Sequence, residues 1–185
     1  MKAMLLLGVA TLALAATDCS RRGGEPTAEQ PSPSASVISI GVELGACDDL
    51  VACQNECEAG SSDRCRRIGV SYEFGKGVPQ DGAHATELYV KACSMDNSEA
   101  CLAAGRMYEF HHGVDKDDVK AVGYYSRACD LGNPTGCANL AILLESGRGT
   151  AKDEGAALRL FDQACAKGAG LACEHAKHLR TIVDP

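Results

Sequence analysis

The sequence repeats itself every 36 residues, and this period restricts the fold more than any other feature of the chain. When the chain is shifted by that interval it aligns with itself without a gap, and two columns of cysteines, eight residues apart, coincide. Such a period is the signature of a repeat array, in which each unit buries its apolar face only by stacking on its neighbours. The two columns contain Cys57, Cys93, Cys129 and Cys165, and Cys65, Cys101, Cys137 and Cys173.

Each unit predicts two helices separated by a loop that contains glycine. In the first helix, Gly69 and Tyr72 keep the spacing of one helical face, and the small residue lets another backbone come close. In the second helix, Ala85, Tyr89 and Ala92 recur at i, i+4 and i+7. The intervening loops are "GKGVPQD", "HHGVDKD" and "GRGTAKD", each ending in an aspartate suited to cap the next helix. The pattern predicts an all-α solenoid of antiparallel helix pairs.

These motifs resemble those of a known family. The pattern A-x(3)-Y/F-x(2)-A-C after a G-x-G-V-x-x-D loop, with L/I-G/A-x(2)-Y before it, is similar to the Sel-one-like repeat, a relative of the tetratricopeptide repeat with a longer loop. The paired cysteines resemble the secreted cysteine-rich (Hcp-type) branch of that family. The resemblance covers roughly residues 47 to 180. It departs from the pattern at His111, where the loop lacks its first glycine, and at Glu56, where a small residue is lost.

Composition along the chain divides it into segments. Met1 and Lys2 precede an apolar stretch too short to span a bilayer, which predicts a signal peptide. The run "SRRGGEPTAEQPSPSASVIS" is rich in Pro, Ser and Gly and predicts a disordered linker. We expect a signal peptide at 1–18, a linker at 19–42, a divergent N-terminal capping half-repeat at 43–63, repeats at 64–99, 100–135 and 136–169, and a C-terminal capping helix at 170–185.

The 11 cysteines of this chain indicate an oxidising compartment. In each column pair, the first cysteine lies near the end of one predicted helix and the second in the first turns of the next, so a disulfide would link the two helices. Clustered cysteines can also bind zinc, but zinc sites favour C-x(2)-C spacing and four ligands close together. We therefore predict disulfides within the four column pairs, a fifth between Cys47 and Cys53, and neither a metal nor a cofactor.

This pairing leaves Cys19 alone, directly after the predicted signal peptide and before the linker. That position is where bacterial lipoproteins are acylated, so one hypothesis is a lipoprotein of the outer membrane or cell envelope. Asp18 occupies a position that usually holds Gly or Ala, which weakens this hypothesis. The alternative is cleavage after Ala15, which would release a periplasmic or secreted protein with a free thiol.

Several function classes are disfavoured by the sequence. The formal net charge of −7 disfavours nucleic acid and anionic lipid surfaces as partners, which leaves a lipid anchor as the only membrane contact we expect. No Ser-x-x-Lys, Lys-Thr-Gly or H-E-x-x-H motif occurs, and the adjacent His111 and His112 are interpreted as solvated loop residues. The Hcp-type resemblance nevertheless implies a penicillin-binding protein or weak β-lactamase, and this hydrolase stays the alternative hypothesis.

The favoured hypothesis is a monomeric scaffold that binds a peptide, protein or glycan partner in the cell envelope. In solenoids of helix pairs, the first helices line a groove. Columns of these helices that do not keep an apolar character are expected to face it, although the same residues could simply be solvated. The predicted groove residues are Arg66, Val70, Glu73, Glu99, Arg106, Glu109, Thr135, Ile142, Glu145 and His178.

Overall fold

Eight α-helices form nearly the whole of the chain that the structure describes. A computed structural model describes residues 47–183, and these residues contain no β-strand. The predicted all-α class is therefore confirmed. The signal peptide, the linker and Cys19 lie outside the described residues. The helices are α1 (Leu50–Glu58), α2 (Ser62–Phe74), α3 (Gly82–Ser94), α4 (Ser98–Phe110), α5 (Asp118–Asp130), α6 (Pro134–Ser146), α7 (Glu154–Ala166) and α8 (Gly170–Val183).

Each helix packs mainly against the helix before it and the helix after it, as expected for a solenoid. Helices α2, α4, α6 and α8 are called the A helices, and α3, α5 and α7 the B helices. The pairs α2–α3, α4–α5 and α6–α7 are the first, second and third repeats, with α1 and α8 at the two ends. None of the helices in residues 47–183 has the length and hydropathy of a membrane span.

The loop between the two helices of a repeat has the same geometry in all three copies. The last aspartate of each loop caps the B helix, and its carboxylate accepts the N–H of the residue three positions on, at 2.9, 2.9 and 2.7 Å. The A helix ends in a residue with left-handed backbone angles, which is Gly75, His111 or Gly147. His111 adopts a φ of 58° there, so the missing glycine leaves this cap unchanged although the conformation disfavours residues with a Cβ.

One aromatic ring per repeat forms the centre of the core. Tyr89, Tyr125 and Phe161 are completely or almost completely buried on the B helices, each against a small residue of its A helix. At Gly105 the approach is so close that a Cβ would lie 2.5 Å from the Tyr125 ring. A ring lying directly on a helix backbone brings the two helices of a repeat near to each other, which explains the small-residue column of the sequence.

Adjacent repeats meet through their loops. The loop of the third repeat lies against the first residues of α5, where a Cβ on Gly149 would come 2.2 Å from the carbonyl oxygen of Asp118. Gly149 has a φ of 67°, so both its backbone angle and its close contact require glycine. The second glycine of the loop therefore determines how closely one repeat stacks on the next.

The described residues contain five disulfides, and their pairing agrees with the pairing predicted from the spacing. Four of them join the last turn of one helix to the first turn of the next, with Cα–Cα distances of 4.5 to 4.7 Å. Each of these four connects a repeat, or helix α1, to the following A helix. The five disulfides are Cys47–Cys53, Cys57–Cys65, Cys93–Cys101, Cys129–Cys137 and Cys165–Cys173.

Replacing Cys129 and Cys137 together with alanine should lower the free energy of unfolding by about 2.5 kcal/mol, because the open chain regains the entropy that a closed loop of about nine residues excludes. Urea denaturation without reductant measures this loss. Non-reducing peptide mapping of the wild-type protein provides the control. It should recover disulfide-linked peptides in which the two joined cysteines are eight residues apart in the sequence. Unchanged stability of the double variant, or bridges between cysteines of different column pairs, would contradict the assigned role of these disulfides.

Candidate functional site

Helices α2 and α4 border an open concavity of about 430 Å³. Tyr89 forms part of its base, and Phe74 at its margin is 57% exposed. The concavity brings together residues that the sequence distributes over three repeats. The predicted groove residues that line it are Arg66, Val70, Glu73, Glu99, Arg106 and Thr135.

A second concavity, of about 270 Å³, lies between α6 and α8, and Thr135 lines both. It corresponds to the first concavity shifted by two repeats, so that Phe161 takes the place of Tyr89, Ile142 that of Val70 and Leu171 that of Glu99. The two concavities together are called the A-helix groove. Its character changes along its length, since charged side chains line the first part whereas Ile142, Phe161 and an 83% exposed Leu171 line the second.

Ion pairs hold most of the charges in the first concavity. Arg66 lies 3.0 Å from Asp63 and 3.3 Å from Glu99, and its buried Nε has no well-directed hydrogen bond. Arg106 is held less firmly, because its side chain is 48% exposed and its Nη2 lies 3.9 Å from Glu73. Arg106 is therefore the cation of this groove that is most readily available to a ligand.

Two of the predicted groove carboxylates accept hydrogen bonds from the core tyrosines. The Tyr89 hydroxyl donates to Glu73 at 2.5 Å, and the Tyr125 hydroxyl donates to Glu109 at 2.7 Å. Burial, followed by the hydrogen bond to the carboxylate, raises the pKa of each tyrosine. Glu109 is only 8% exposed and lies outside both concavities, so its position is structural and not on the groove surface.

The remaining predicted residues are not brought together. Glu145 has Phe161 at the position where Glu73 and Glu109 have a tyrosine hydroxyl, and it lines neither concavity. His178 is exposed on α8, away from both. His111 and His112 are exposed and border another concavity, of about 350 Å³, which Glu73 also lines. Within residues 47–183 there is no group of three His, Cys, Asp or Glu side chains that could hold a metal ion.

Sequence reasoning missed Arg148, which joins the second and third repeats. Its guanidinium lies 2.9 Å from Glu109 and 2.8 Å from Asp118, and both carboxylates belong to the second repeat. The hydrogen bond from Arg148 lowers the pKa of Asp118, and the two carboxylates raise the pKa of Arg148. The sequence contained one signal for this residue, because the equivalent loop position holds a basic residue in all three repeats, namely Lys76, His112 and Arg148.

Consecutive helix pairs that each pack on the pairs before and after them define an α-helical repeat scaffold. The sequence model of the Sel1 repeat matches the chain three times, over residues 65–97, 98–133 and 134–168. These matches cover more than half of the chain, which therefore belongs to the Sel1 repeat family. No curated protein matches the sequence.

Solved structures of similar fold agree with this assignment. A Sel1 repeat protein from Oxalobacter formigenes is 26% identical, with a TM-score of 0.65 over 71% of this chain and 99% of that one. A protective antigen of uropathogenic Escherichia coli strains is 25% identical, with a TM-score of 0.70 over 73% of this chain, which spans only 29% of the antigen.

Cysteine-rich protein B of Helicobacter pylori is 29% identical, with a TM-score of 0.54 over 68% of this chain and 90% of that protein. Together with the five disulfides of the described residues, this likeness indicates an oxidising environment outside the cytoplasm.

The substitution Arg148→Gln should lower the free energy of unfolding by about 1 kcal/mol at pH 7, because it removes a partly buried link between two repeats. The pKa of Asp118 is lowered in the folded state, so its contribution is complete above the ordinary carboxyl pKa of about 4 and is lost as the pH falls through the lowered value. The difference between variant and wild type should therefore decrease towards pH 2.

Urea denaturation at pH 7 and at pH 2.5 measures this difference. The matched control is Arg180→Gln, which removes a more exposed pair with Asp162 and should cost less than about 0.5 kcal/mol. If Arg148→Gln lowers the free energy of unfolding by the same amount at both pH values, the assigned role of the ion pair is contradicted.

Proposed function

We propose that the protein is an exported Sel1 repeat scaffold that binds a peptide, protein or glycan partner of the cell envelope through the A-helix groove. The observation that carries this proposal is the regular arrangement of the two concavities along the A helices. Equivalent positions of successive A helices line both of them, and Thr135 belongs to both. An extended partner could therefore contact several repeats in succession.

Several side chains of the groove are exposed or only weakly paired, so they contribute little to folding and are available to a partner. Leu171 is 83% exposed and Phe74 is 57% exposed, so each leaves apolar area in water that a partner could cover. Arg106 lies between them along the groove and is only weakly paired. A partner with apolar groups and at least one negative charge would complement this surface.

The substitution Arg106→Glu should reduce capture of an envelope partner about tenfold, because it reverses the charge of the most available cation in the groove. Immobilised oxidised protein is incubated with envelope extract, with or without prior protease treatment of the extract, and the bound material is identified by mass spectrometry. Protease-sensitive capture identifies a protein or peptide partner, whereas resistant capture identifies a glycan. The melting temperatures of the Arg106→Glu variant and the wild-type protein should agree within a few degrees, since exposed ion pairs add little stability.

The matched control is Arg159→Glu, which makes the same charge change at an exposed position of α7. Equal capture by wild type and by both variants would contradict the groove as the binding surface. Hydrolysis of a chromogenic cephalosporin that co-purifies with the folded protein would instead favour the hydrolase implied by the Hcp-type resemblance. Glu73 would then be the first carboxylate to replace, because it lines the groove.

Export with a lipid anchor at Cys19 is part of this proposal, and its support is the odd number of cysteines together with the linker that follows. Metabolic labelling with a fatty acid should mark the wild-type protein, and Cys19→Ala should remove the label and move the protein to the soluble fraction. A soluble, unlabelled wild-type protein with its N-terminus near residue 16 would show that the chain is released instead.

A further inference from the structure

The B helices border two further concavities that are also repeats of each other. The larger one, of about 460 Å³, lies between α3 and α5 and is called the α3–α5 concavity. The smaller one, of about 250 Å³, lies one repeat earlier along the chain. Every residue that lines the α3–α5 concavity has a counterpart 36 residues earlier that lines the smaller one. The two concavities therefore differ in shape and charge mainly where the residue types at equivalent positions differ.

Gly123, in the middle of α5, is the first difference. Its counterparts in the first and third repeats are Glu87 and Arg159, which have long side chains. A Cβ on Gly123 would meet no atom within 4 Å, and the residue does not have a positive φ. Neither packing nor backbone geometry requires glycine here, and glycine weakens a helix interior relative to alanine. Its effect on the surface is to leave open space beside Tyr124.

Charge is the second difference. The smaller concavity contains the carboxylates of Glu58 and Glu87 beside its basic residues. In the α3–α5 concavity Ser94 and Gly123 take their places, whereas the cations Lys120 and Arg127 remain. These two cations are seven residues apart on one face of α5, or roughly 10 Å along the helix axis.

Two aspartates at the margin already pair with these cations. Asp117 lies 3.5 Å from the Lys120 ammonium, and Asp96 pairs with Arg127. The arginine, the lysine and Asp96 are more than half exposed, and such exposed pairs are weak enough to exchange for a ligand anion. The concavity thus has exchangeable cations at both ends and no carboxylate in its centre.

The centre of the α3–α5 concavity is apolar. Val90 and Cys93, which is part of the disulfide to Cys101, line one side. The Tyr124 ring lines the other and stacks on Tyr108 with ring centroids 5.6 Å apart and planes 4° from parallel. An aromatic ring supported in this way offers a flat surface to another planar group.

We propose that the α3–α5 concavity binds a small anion with a planar apolar body, whose ring lies in the space left by Gly123 against Tyr124 and whose anionic group pairs with Lys120 or Arg127. This site is formed by B helices and shares no residue with the A-helix groove. It is therefore independent of the function proposed above.

The test uses the full oxidised protein and two fluorescent probes that differ by one anionic group, 8-anilinonaphthalene-1-sulfonate and the neutral N-phenyl-1-naphthylamine. The sulfonate should bind saturably and at least about tenfold more tightly than the neutral probe, because only the sulfonate can pair with a cation. In the ¹⁵N-labelled protein, the amides of Gly123 and Tyr124 should show the largest shifts on addition of the sulfonate.

Two substitutions of Gly123 distinguish the effect of filling the concavity and adding a negative charge from the effect of a change in helix stability. Gly123→Glu installs the side chain of the first repeat, fills the space and adds a carboxylate, and should weaken sulfonate binding at least about tenfold. Gly123→Ala strengthens the helix and adds only a methyl group, and should retain binding within about threefold. Circular dichroism shows whether each variant retains its helical content.

If Gly123→Glu does not fold, the double variant Lys120→Gln with Arg127→Gln carries the test, because it should reduce sulfonate binding to the level of the neutral probe. The proposal is overturned if the sulfonate does not bind, if both probes bind equally well to wild type, or if the folded Gly123→Glu variant binds as tightly as wild type.

Discussion

The contact of one buried aromatic ring with the backbone of the facing helix is the interaction on which the rest of this structure depends. Where Tyr125 lies on Gly105, the two helices approach as closely as side-chain volume permits, and Tyr89 lies on Gly69 in the same way. In the third repeat, Phe161 packs in one core cluster with Ala141, the residue equivalent to Gly105. Because the ring is tyrosine in two repeats, its hydroxyl also requires an acceptor. Glu73 and Glu109 satisfy that requirement from the A helices, although only Glu73 also lines the groove.

Rigid repeats do not by themselves determine how they stack, and here three kinds of contact do so together. A disulfide joins the end of each B helix to the next A helix. The second glycine of a loop lies on the start of the preceding B helix, and Arg148 adds an ion pair at the junction of the second and third repeats. Equivalent residues are thereby placed at regular intervals, so the concavities on the A helices and on the B helices each occur twice.

Much of the fold could be predicted from the sequence because its information is local. The aspartate caps, the close-packed column of Gly69 and Gly105, and the pairing of cysteines eight residues apart all depend on neighbours in the chain, and the structure contains them. The groove was predicted less well. Periodicity identified Arg66 and Arg106 as groove residues but placed Glu109 beside them, because it cannot tell a solvated carboxylate from one bound to a buried tyrosine.

The sequence by itself determined the repeat, the helix pairs and the covalent links, since the period of 36 residues and the capping residues are properties of adjacent segments. Only the tertiary structure decided which polar side chains are surface and which are structural. Arg148 shows why, because its two partners lie 39 and 30 residues away along the chain and meet it only after the repeats have stacked. The open space beside Gly123 likewise depends on the stacking of the first two repeats, which brings α3 and α5 to the two sides of one concavity and which no single stretch of sequence specifies.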